Sequence, residues 1–273
     1  MMLGEKHAAL RSELRRLDRI LIAFSGGIDS ALLLRVAADV LATRVLAVTA
    51  DSASVPRREL REAANFARRL GVEHVFLETG ELDNPAYTKN SARRCYFCKS
   101  ELYTHLAKLA RRRHIPYIAN GTNADDLLDY RPGLQAAEEF RIVSPLQKAR
   151  LTKEEIRRLG RQLGLSFWDK PASPCLASRI PYGRTVTREK LVMVETAEEF
   201  IRQLGVRELR VRHFGEKALL ETHPCDFQLI EKNFDAVRAR FEEIGFAEVA
   251  WRPFRSGALN AAILAKAQNE VVS

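Results

Sequence analysis

Residues 19–41 run Arg19-Ile-Leu-Ile-Ala-Phe24, then Ser25-Gly-Gly-Ile-Asp-Ser30, then Ala31-Leu-Leu-Leu-Arg-Val-Ala-Ala-Asp-Val-Leu41. The first part is a short apolar run typical of a buried strand, and the last part has the apolar spacing of an amphipathic helix. The glycines lie between them, where the unpaired amides and the dipole of a helix N-terminus favour an anion. The stretch therefore predicts a phosphate-binding turn that joins a strand to a helix.

The alternation of strand and helix continues through the first two thirds of the chain. Strands are predicted at residues 19–24, 44–49, 74–79, 116–119 and 141–144. Helices are predicted at residues 29–41, 57–70, 98–113 and 152–164. This order predicts an α/β fold with a doubly wound, mostly parallel sheet.

A second, smaller domain follows a segment rich in Pro, Ser and Gly at residues 168–184, which we predict to be a loop. Beyond it the pattern predicts an α+β arrangement: helices at 187–204 and 226–245, strands at 208–213, 218–221 and 248–251, and a short apolar helix after 255–260. We therefore divide the chain into a domain that contains the predicted phosphate-binding turn, 1–170, and a smaller region, 171–273.

The charge balance favours anionic partners, because 44 Lys and Arg residues outnumber 35 Asp and Glu residues. Charge alone does not choose among nucleotides, phosphorylated metabolites and RNA. The arginine clusters lack the interleaved aromatic residues of a base-stacking surface, which argues against a nucleic acid. A merely solvated basic surface fits the same clusters. No apolar run is long enough to span a bilayer and the N-terminus lacks a signal-like apolar region, so we expect a cytoplasmic protein without membrane contact.

Five residues of the predicted phosphate loop have side chains or backbones suited to binding a phosphate or its metal. Gly26 and Gly27 let the backbone approach a phosphate closely, and the hydroxyls of Ser25 and Ser30 can donate hydrogen bonds to its oxygens. Asp29 can bind Mg²⁺ or cap the helix. The lysine of a Walker loop is missing. The alternative is a glycine-rich turn without catalytic meaning.

Two further strands end in polar residues. Asp51 ends the second strand, and Asn120-Gly-Thr-Asn-Ala-Asp-Asp126 follows the fourth. Because open α/β sheets bind ligands outside the carboxyl ends of their strands, we expect Asp51, Asn123 and Asp126 to contact ATP or a hydrated Mg²⁺. An Asn-Gly turn before a capped helix explains the second stretch equally well.

The cysteines predict metal, cluster or catalytic chemistry, because thiols stay reduced in the cytosol. Cys95 and Cys98 have a chelating spacing and Cys175 supplies a third thiolate. Three thiolates suit a [4Fe–4S] cluster with one open iron, whereas structural zinc usually takes four ligands. One alternative is a structural zinc site whose ligands are completed by Cys225, with His223 nearby. Another is that the thiols are reduced and simply packed.

The loop around Cys175 reads Lys170-Pro-Ala-Ser-Pro-Cys-Leu-Ala-Ser-Arg179. We expect Lys170 and Arg179 to lower the pKa of the thiol, which suits a nucleophile or a cluster ligand. An ordinary loop cysteine is the alternative.

Together, the phosphate loop and residues 120–134, 144–146, 170–183 and 255–260 resemble the LarE family, a branch of the PP-loop ATP pyrophosphatases. The resemblance runs nearly end to end. It implies an ATP-dependent sulfur transferase that adenylates the carboxylates of pyridinium-3,5-biscarboxylate mononucleotide. Their conversion to thiocarboxylates makes the precursor of the nickel-pincer nucleotide cofactor.

The resemblance also implies roles for the cysteines. In one branch of the family the cysteine at the position of Cys175 gives up its own sulfur and becomes dehydroalanine. Another branch holds a [4Fe–4S] cluster on three cysteines and accepts external sulfide, and Cys95, Cys98 and Cys175 match it. We therefore predict a cluster ligand at Cys175, with the sacrificial role as the alternative.

In the smaller domain, the resemblance implies that Arg210 and Arg212 contact a substrate phosphate and that Glu198 and Glu221 contact a divalent metal. Arginines two apart in a strand face the same side, which suits a phosphate. Surface salt bridges are the alternative for these charges. The family also implies a homo-oligomer, with 1–170 as the ATP-binding domain and 171–273 as the region for substrate binding and oligomerisation.

Three other functions stay open. A PP-loop tRNA thiolase would replace the small nucleotide by RNA. An amide-forming relative, such as an NAD or GMP synthetase, would need an ammonia source that the chain does not visibly encode. A nucleotide-binding module with structural zinc would have no enzymatic activity.

Overall fold

The computed structural model describes residues 2–128, 132–171 and 173–254, so residues 255–260 and the helix predicted after them lie outside the described residues. The described residues fall into two compact units. One lies within Met1–Glu81 and Cys95–Ser173, and the other within Leu82–Arg94 and Pro174–Ser273.

The first unit contains a parallel sheet. Its strands, among the described residues, are β1 (Ile20–Ala23), β2 (Val45–Asp51), β3 (Glu73–Glu78) and β4 (Tyr117–Ala119), in the order β3-β2-β1-β4. All three pairings are parallel. The predicted α/β fold with a parallel sheet is confirmed.

The prediction of a strand at residues 141–144 is wrong. Only Val143 pairs with the sheet, through a single bridge to Ala119. Pro145 follows two residues later and begins a helix, and proline has no N–H group with which to continue a ladder. The run is therefore too short to become a strand.

Helices surround the first sheet. In chain order the first eight are α1 (Leu3–Leu17), α2 (Ile28–Leu41), α3 (Arg57–Arg69), α4 (Pro85–Thr88), α5 (Arg94–Arg112), α6 (Pro132–Glu139), α7 (Pro145–Lys148) and α8 (Lys153–Gln162). Of these, α4 belongs to the second unit. None of the described helices is both long and apolar enough to cross a membrane.

The core of the first unit lies on both faces of the sheet, because successive strand residues point to opposite sides. Ile20 and Ile22 pack with apolar residues of α1, α2, α3 and α8. Leu21, between them, packs with residues of α5 and α6 on the other face. A central strand buried on both faces positions the turn at its carboxyl end rigidly.

The second unit has a sheet of its own, with β5 (Leu209–Phe214), β6 (Lys217–Thr222) and β7 (Glu248–Pro253) in that order. β5 and β6 form an antiparallel hairpin, and β7 runs parallel to β6. Its further helices are α9 (Arg188–Gln203), α10 (Phe227–Lys232) and α11 (Phe234–Ile244). The predicted small α+β region is confirmed, except that the single helix expected at 226–245 is broken at Asn233.

Residues 82–94 join the second unit, although the division drawn from the sequence places them in the first domain. The side chain of Asn90 explains this, because its Nδ2 donates to the carbonyl oxygens of Ile180, Pro181 and Arg184. The backbone N–H of Gly183 donates in turn to the Asn90 carbonyl, at 3.0 Å. Hydrogen bonds between residues far apart in the sequence therefore hold this segment in the second unit, and such bonds have no local sequence signal.

Candidate functional site

The phosphate loop occupies the turn between β1 and α2, with Gly27 at the N-cap position. Gly26 has a φ of +74°, a left-handed conformation that other residues adopt only with strain. The hydroxyl of Ser30 lies 3.1 Å from that of Ser25 and donates to the carbonyl of Gly27 at 3.0 Å. The loop is thus held in a fixed shape at the start of a helix, the arrangement that binds an anion.

The turn after β4 packs directly against this loop. A Cβ atom added at Gly121 would lie 2.8 Å from the backbone nitrogen of Ser30 and 3.1 Å from its Cα. Only glycine permits such an approach between two backbones. The carboxyl ends of β1 and β4 therefore form one continuous surface.

Asp29, Asn123 and Asp126 come together there, as their positions at strand ends predict. The Asn123 amide donates from Nδ2 to Oδ1 of Asp29 at 3.3 Å. Its backbone N–H donates to Oδ2 of Asp126 at 3.0 Å. Asp126 is almost fully buried. Their contacts with ATP and Mg²⁺ stay predictions.

Lys153 is a site residue that the sequence reasoning missed. It is the first residue of α8, and its ammonium forms an ion pair with Asp29 inside the phosphate loop. The capping pattern from Thr152 to Glu155 marks the start of α8 in the sequence. The close packing of α8 on α2, where a Cβ added at Gly160 would lie 3.2 Å from Cδ1 of Ile28, has no such local signal.

Asp51 lies at the end of β2 and pairs with Arg57, the first residue of α3. Arg57 also donates to the carbonyl oxygens of Ser52 and Val55. Among the described residues Asp51 shares no hydrogen bond with the phosphate loop. Its contact with ATP stays a prediction.

Cys95 and Cys98 are the second and fifth residues of α5, which begins at Arg94, four residues before the predicted start. Residues three apart in a helix point to the same side. A helix N-terminus also stabilises thiolates. Cys95 is exposed and Cys98 is half-buried, so this pair has the spacing and position of two metal or cluster ligands.

Cys175 is half-buried and immediately precedes a 3-10 turn, Leu176–Arg179, in the second unit. Arg179 donates to its carbonyl oxygen at 3.1 Å, and the guanidinium is otherwise paired with Glu198. Lys170 is held by Glu59 and Glu62. Carboxylates and carbonyl oxygens thus occupy both cations, and their expected effect on the thiol stays a prediction.

The described residues contain no group of three or more His, Cys, Asp or Glu side chains that converge as metal ligands. Cys95 and Cys98 belong to the first unit and Cys175 to the second. The alternative zinc pair is close together, with 3.0 Å between Sγ of Cys225 and Nδ1 of His223, and both residues are exposed. The iron–sulfur assignment stays a prediction.

The second unit contains two buried carboxylates that arginines hold. Glu198 pairs with Arg179 and, at 3.4 Å, with Arg202, and it accepts a hydrogen bond from the backbone N–H of Val211. Glu221 is fully buried. It pairs with Arg212 at 2.8 Å and with Arg252 at 2.6 Å. The divalent-metal contact of the two glutamates stays a prediction.

Arg210 differs from its neighbours. It forms no ion pair with the described residues, and its Cζ lies 4.2 Å from the centroid of the Phe254 ring. Burial, with the charges of Arg179 and Arg212 adding to it, lowers the pKa of its guanidinium to about 10. Arg210 thus remains a cation at neutral pH that forms no ion pair with a carboxylate in the described part of the chain. An anionic ligand would relieve this.

Known proteins match this chain, some of them over almost its whole length. The family model described as Asparagine synthase matches residues 7–165. An uncharacterized protein of Synechocystis sp. is 43% identical over 95% of this chain and 98% of its own length. An uncharacterized protein of Methanocaldococcus jannaschii is 29% identical over 85% of this chain and 88% of its own.

A third relative has a described activity. Pyridinium-3,5-bisthiocarboxylic acid mononucleotide synthase of Lactiplantibacillus plantarum is 35% identical over 94% of this chain and 95% of its own length. This likeness spans both units and the phosphate loop. The chain therefore belongs to the LarE family of PP-loop enzymes and is an ATP-dependent sulfurtransferase.

Proposed function

We propose that the protein adenylates the carboxylates of pyridinium-3,5-biscarboxylate mononucleotide and converts them to thiocarboxylates for nickel-pincer nucleotide synthesis. The observation that carries this proposal is the 35% identity, over 94% of the chain, to a synthase of the bisthiocarboxylic acid mononucleotide. The geometry of the phosphate loop supports the ATP-dependent half of the reaction.

In the first step a substrate carboxylate oxygen attacks the α-phosphorus of ATP and pyrophosphate leaves. The amides and dipole at the start of α2, with the hydroxyls of Ser25 and Ser30, stabilise the pyrophosphate. Asp29 would hold Mg²⁺, which binds through one or two carboxylates plus phosphate oxygens and neutralises their charge. Asn123 donates to the carboxylate of Asp29 from the β4 side, and Asp126 accepts a hydrogen bond from the Asn123 backbone.

In the second step a sulfur nucleophile attacks the carbonyl carbon of the acyl-adenylate, and AMP leaves with its former carboxylate oxygen. Each substrate molecule carries two carboxylates, so two rounds complete the product. We assign Arg210 and Arg212 to the substrate phosphate, and Arg210 is the better candidate because Arg212 is already paired with Glu221.

For the sulfur source we propose a [4Fe–4S] cluster held by Cys95, Cys98 and Cys175. Such a cluster supplies an iron open to exogenous sulfide. The placement of two thiols on one face of a helix N-terminus supports this assignment. The alternative is that the Cys175 thiolate attacks the carbonyl, after which its Cβ–S bond breaks with loss of the Cα proton and leaves dehydroalanine.

The test uses protein purified without oxygen, with ATP, the biscarboxylate nucleotide and sulfide. We expect AMP, pyrophosphate and thiocarboxylate, an iron–sulfur absorption band, and an unchanged intact mass after several turnovers. Cys98→Ser should lose the band, whereas Cys225→Ser should keep it.

Other outcomes decide between the alternatives. A loss of one H₂S equivalent at Cys175 in a colourless protein would show that Cys175 gives up its own sulfur and that no cluster supplies it. AMP formation that requires tRNA would make the protein a tRNA thiolase. Absence of AMP and pyrophosphate with the biscarboxylate nucleotide would overturn the proposed function. We also propose a homo-oligomer, which light scattering in solution tests directly.

A further inference from the structure

A lysine lies at the phosphate loop although the loop has none of its own. The ammonium of Lys153 contacts Oδ2 of Asp29, and the amide of Asn123 donates to Oδ1 of the same carboxylate at 3.3 Å. Both oxygens of Asp29 are therefore occupied. About a third of the Lys153 side chain and a quarter of the Asp29 side chain remain exposed, so a ligand can reach the pair.

The backbone of Lys153 is fixed. Its N–H donates to Oδ2 of Asp125 at 2.8 Å, in the turn after β4. The preceding residue, Thr152, caps α8 in a reciprocal arrangement with Glu155. Only the side chain of Lys153 is therefore able to change partner, and its four-carbon stem allows an ammonium to move between nearby anions.

Electrostatics makes this ammonium dependent on an anion. Lys153 begins α8, and Asp29 is the second residue of α2, so the pair lies at the start of two helices. The positive end of each helix dipole disfavours a cation. In the described structure the Asp29 carboxylate compensates for this, and a phosphate oxygen would do so equally well.

Mg²⁺ needs the same carboxylate that Lys153 occupies, since it binds through one or two carboxylates and the phosphates of its nucleotide. We propose that Lys153 neutralises Asp29 in the nucleotide-free protein and moves to a β- or γ-phosphate oxygen of ATP when Mg²⁺ takes its place on Asp29. This inference rests on the proposed function of the phosphate loop. It gives Lys153 the role that the missing loop lysine has in Walker motifs.

The exchange has a thermodynamic consequence. Without nucleotide, the ammonium competes with a divalent cation for Asp29. With nucleotide, the phosphates remove the competitor and add ligands, so metal and ATP each favour the binding of the other, and by the same factor. AMP lacks the β- and γ-phosphates and should show little of this coupling.

The test measures binding of Mn²⁺, as a probe for Mg²⁺, by electron paramagnetic resonance of the full chain with and without α,β-methylene-ATP. Lys153→Gln should tighten Mn²⁺ binding without nucleotide by roughly fivefold or more, because a partly exposed ion pair of about 1 kcal/mol is lost. The same variant should bind the ATP analogue roughly tenfold more weakly and AMP equally well. Lys153→Arg should restore part of the analogue affinity.

Lys148→Gln is the matched control, because Lys148 is also paired with a carboxylate, Glu13, and is half-exposed. It should change neither affinity. Unchanged Mn²⁺ and analogue binding in Lys153→Gln would overturn the exchange, and so would failure of the unaltered protein to bind the analogue. This binding test contains no biscarboxylate substrate. If it gives the expected result while the separate assay finds no thiocarboxylate, only the proposed substrate is overturned.

Discussion

Arg179 donates two hydrogen bonds to Glu198, at 2.8 Å from Nε to Oε1 and at 3.1 Å from Nη2 to Oε2. Both side chains are almost fully buried. The remaining nitrogen of Arg179 donates to the carbonyl oxygens of Pro174 and Cys175. This ion pair thus fixes the backbone beside Cys175 to helix α9 of the second unit.

Removing Arg179 should therefore destabilise the second unit. Arg179→Met leaves the buried carboxylate of Glu198 with a weaker partner, and breaking such a pair costs about 3–5 kcal/mol of unfolding free energy. Urea denaturation followed by tryptophan fluorescence measures the loss. Arg240→Met, which removes an exposed ion pair with Glu243, should change the free energy by no more than about 0.5 kcal/mol. Equal stabilities for the two variants would contradict this reading.

Gly121→Ala should disrupt the phosphate loop. Its new Cβ would lie 2.8 Å from the Ser30 nitrogen, and neither partner is a flexible side chain, so the turn after β4 and the start of α2 must separate. We expect a lower affinity for ATP, by roughly tenfold or more, because misplaced backbone amides no longer converge on the phosphates. Isothermal titration calorimetry gives the affinity.

Gly4→Ala is the control for Gly121→Ala, because an added Cβ at Gly4 would meet no atom within 4 Å. This variant should bind ATP as the unaltered protein does. An ATP affinity of Gly121→Ala that equals that of Gly4→Ala would show that the two backbones can separate without cost.

The stability of the second unit should depend on pH through His213. Burial lowers the pKa of this imidazole from its usual 6.5, and the charges of Lys190 and Arg184 add to the effect. Between 6.5 and the folded value, the unfolded chain binds more protons than the folded one. Stability is therefore greatest above pH 6.5 and falls as the pH drops towards the folded pKa.

The measurement is the unfolding free energy from pH 7.5 to 5.5, a range of about two units around the usual histidine pKa. His213→Asn keeps an acceptor for the Gly215 N–H, which donates to Nδ1 at 3.2 Å, but cannot titrate. Its stability should fall less with decreasing pH. Parallel pH profiles for the variant and the unaltered protein would assign the dependence to other groups.

Local patterns predicted the phosphate loop and most strands, because an apolar run, two glycines and an amphipathic helix are adjacent in the chain. They could not predict Lys153, which reaches Asp29 only after α8 packs on α2. They also missed that Lys170, close to Cys175 in sequence, would be held by Glu59 and Glu62. Charge neighbours in sequence differ from charge neighbours in space, and only the fold determines which carboxylate reaches a given cation.

Arg210 should contribute more to substrate binding than Arg212, although the two residues lie two positions apart on β5. Arg212 already has the buried carboxylate of Glu221, whereas Arg210 has a depressed pKa of about 10 and no ion pair among the described residues. Arg210→Gln should therefore weaken binding of the biscarboxylate mononucleotide roughly tenfold to a hundredfold, the worth of a hydrogen bond between charged groups. Binding of the corresponding nucleoside, which lacks the phosphate, should not change. Because a merely structural Arg210 would weaken both ligands alike, equal losses for nucleotide and nucleoside would remove it from the phosphate site.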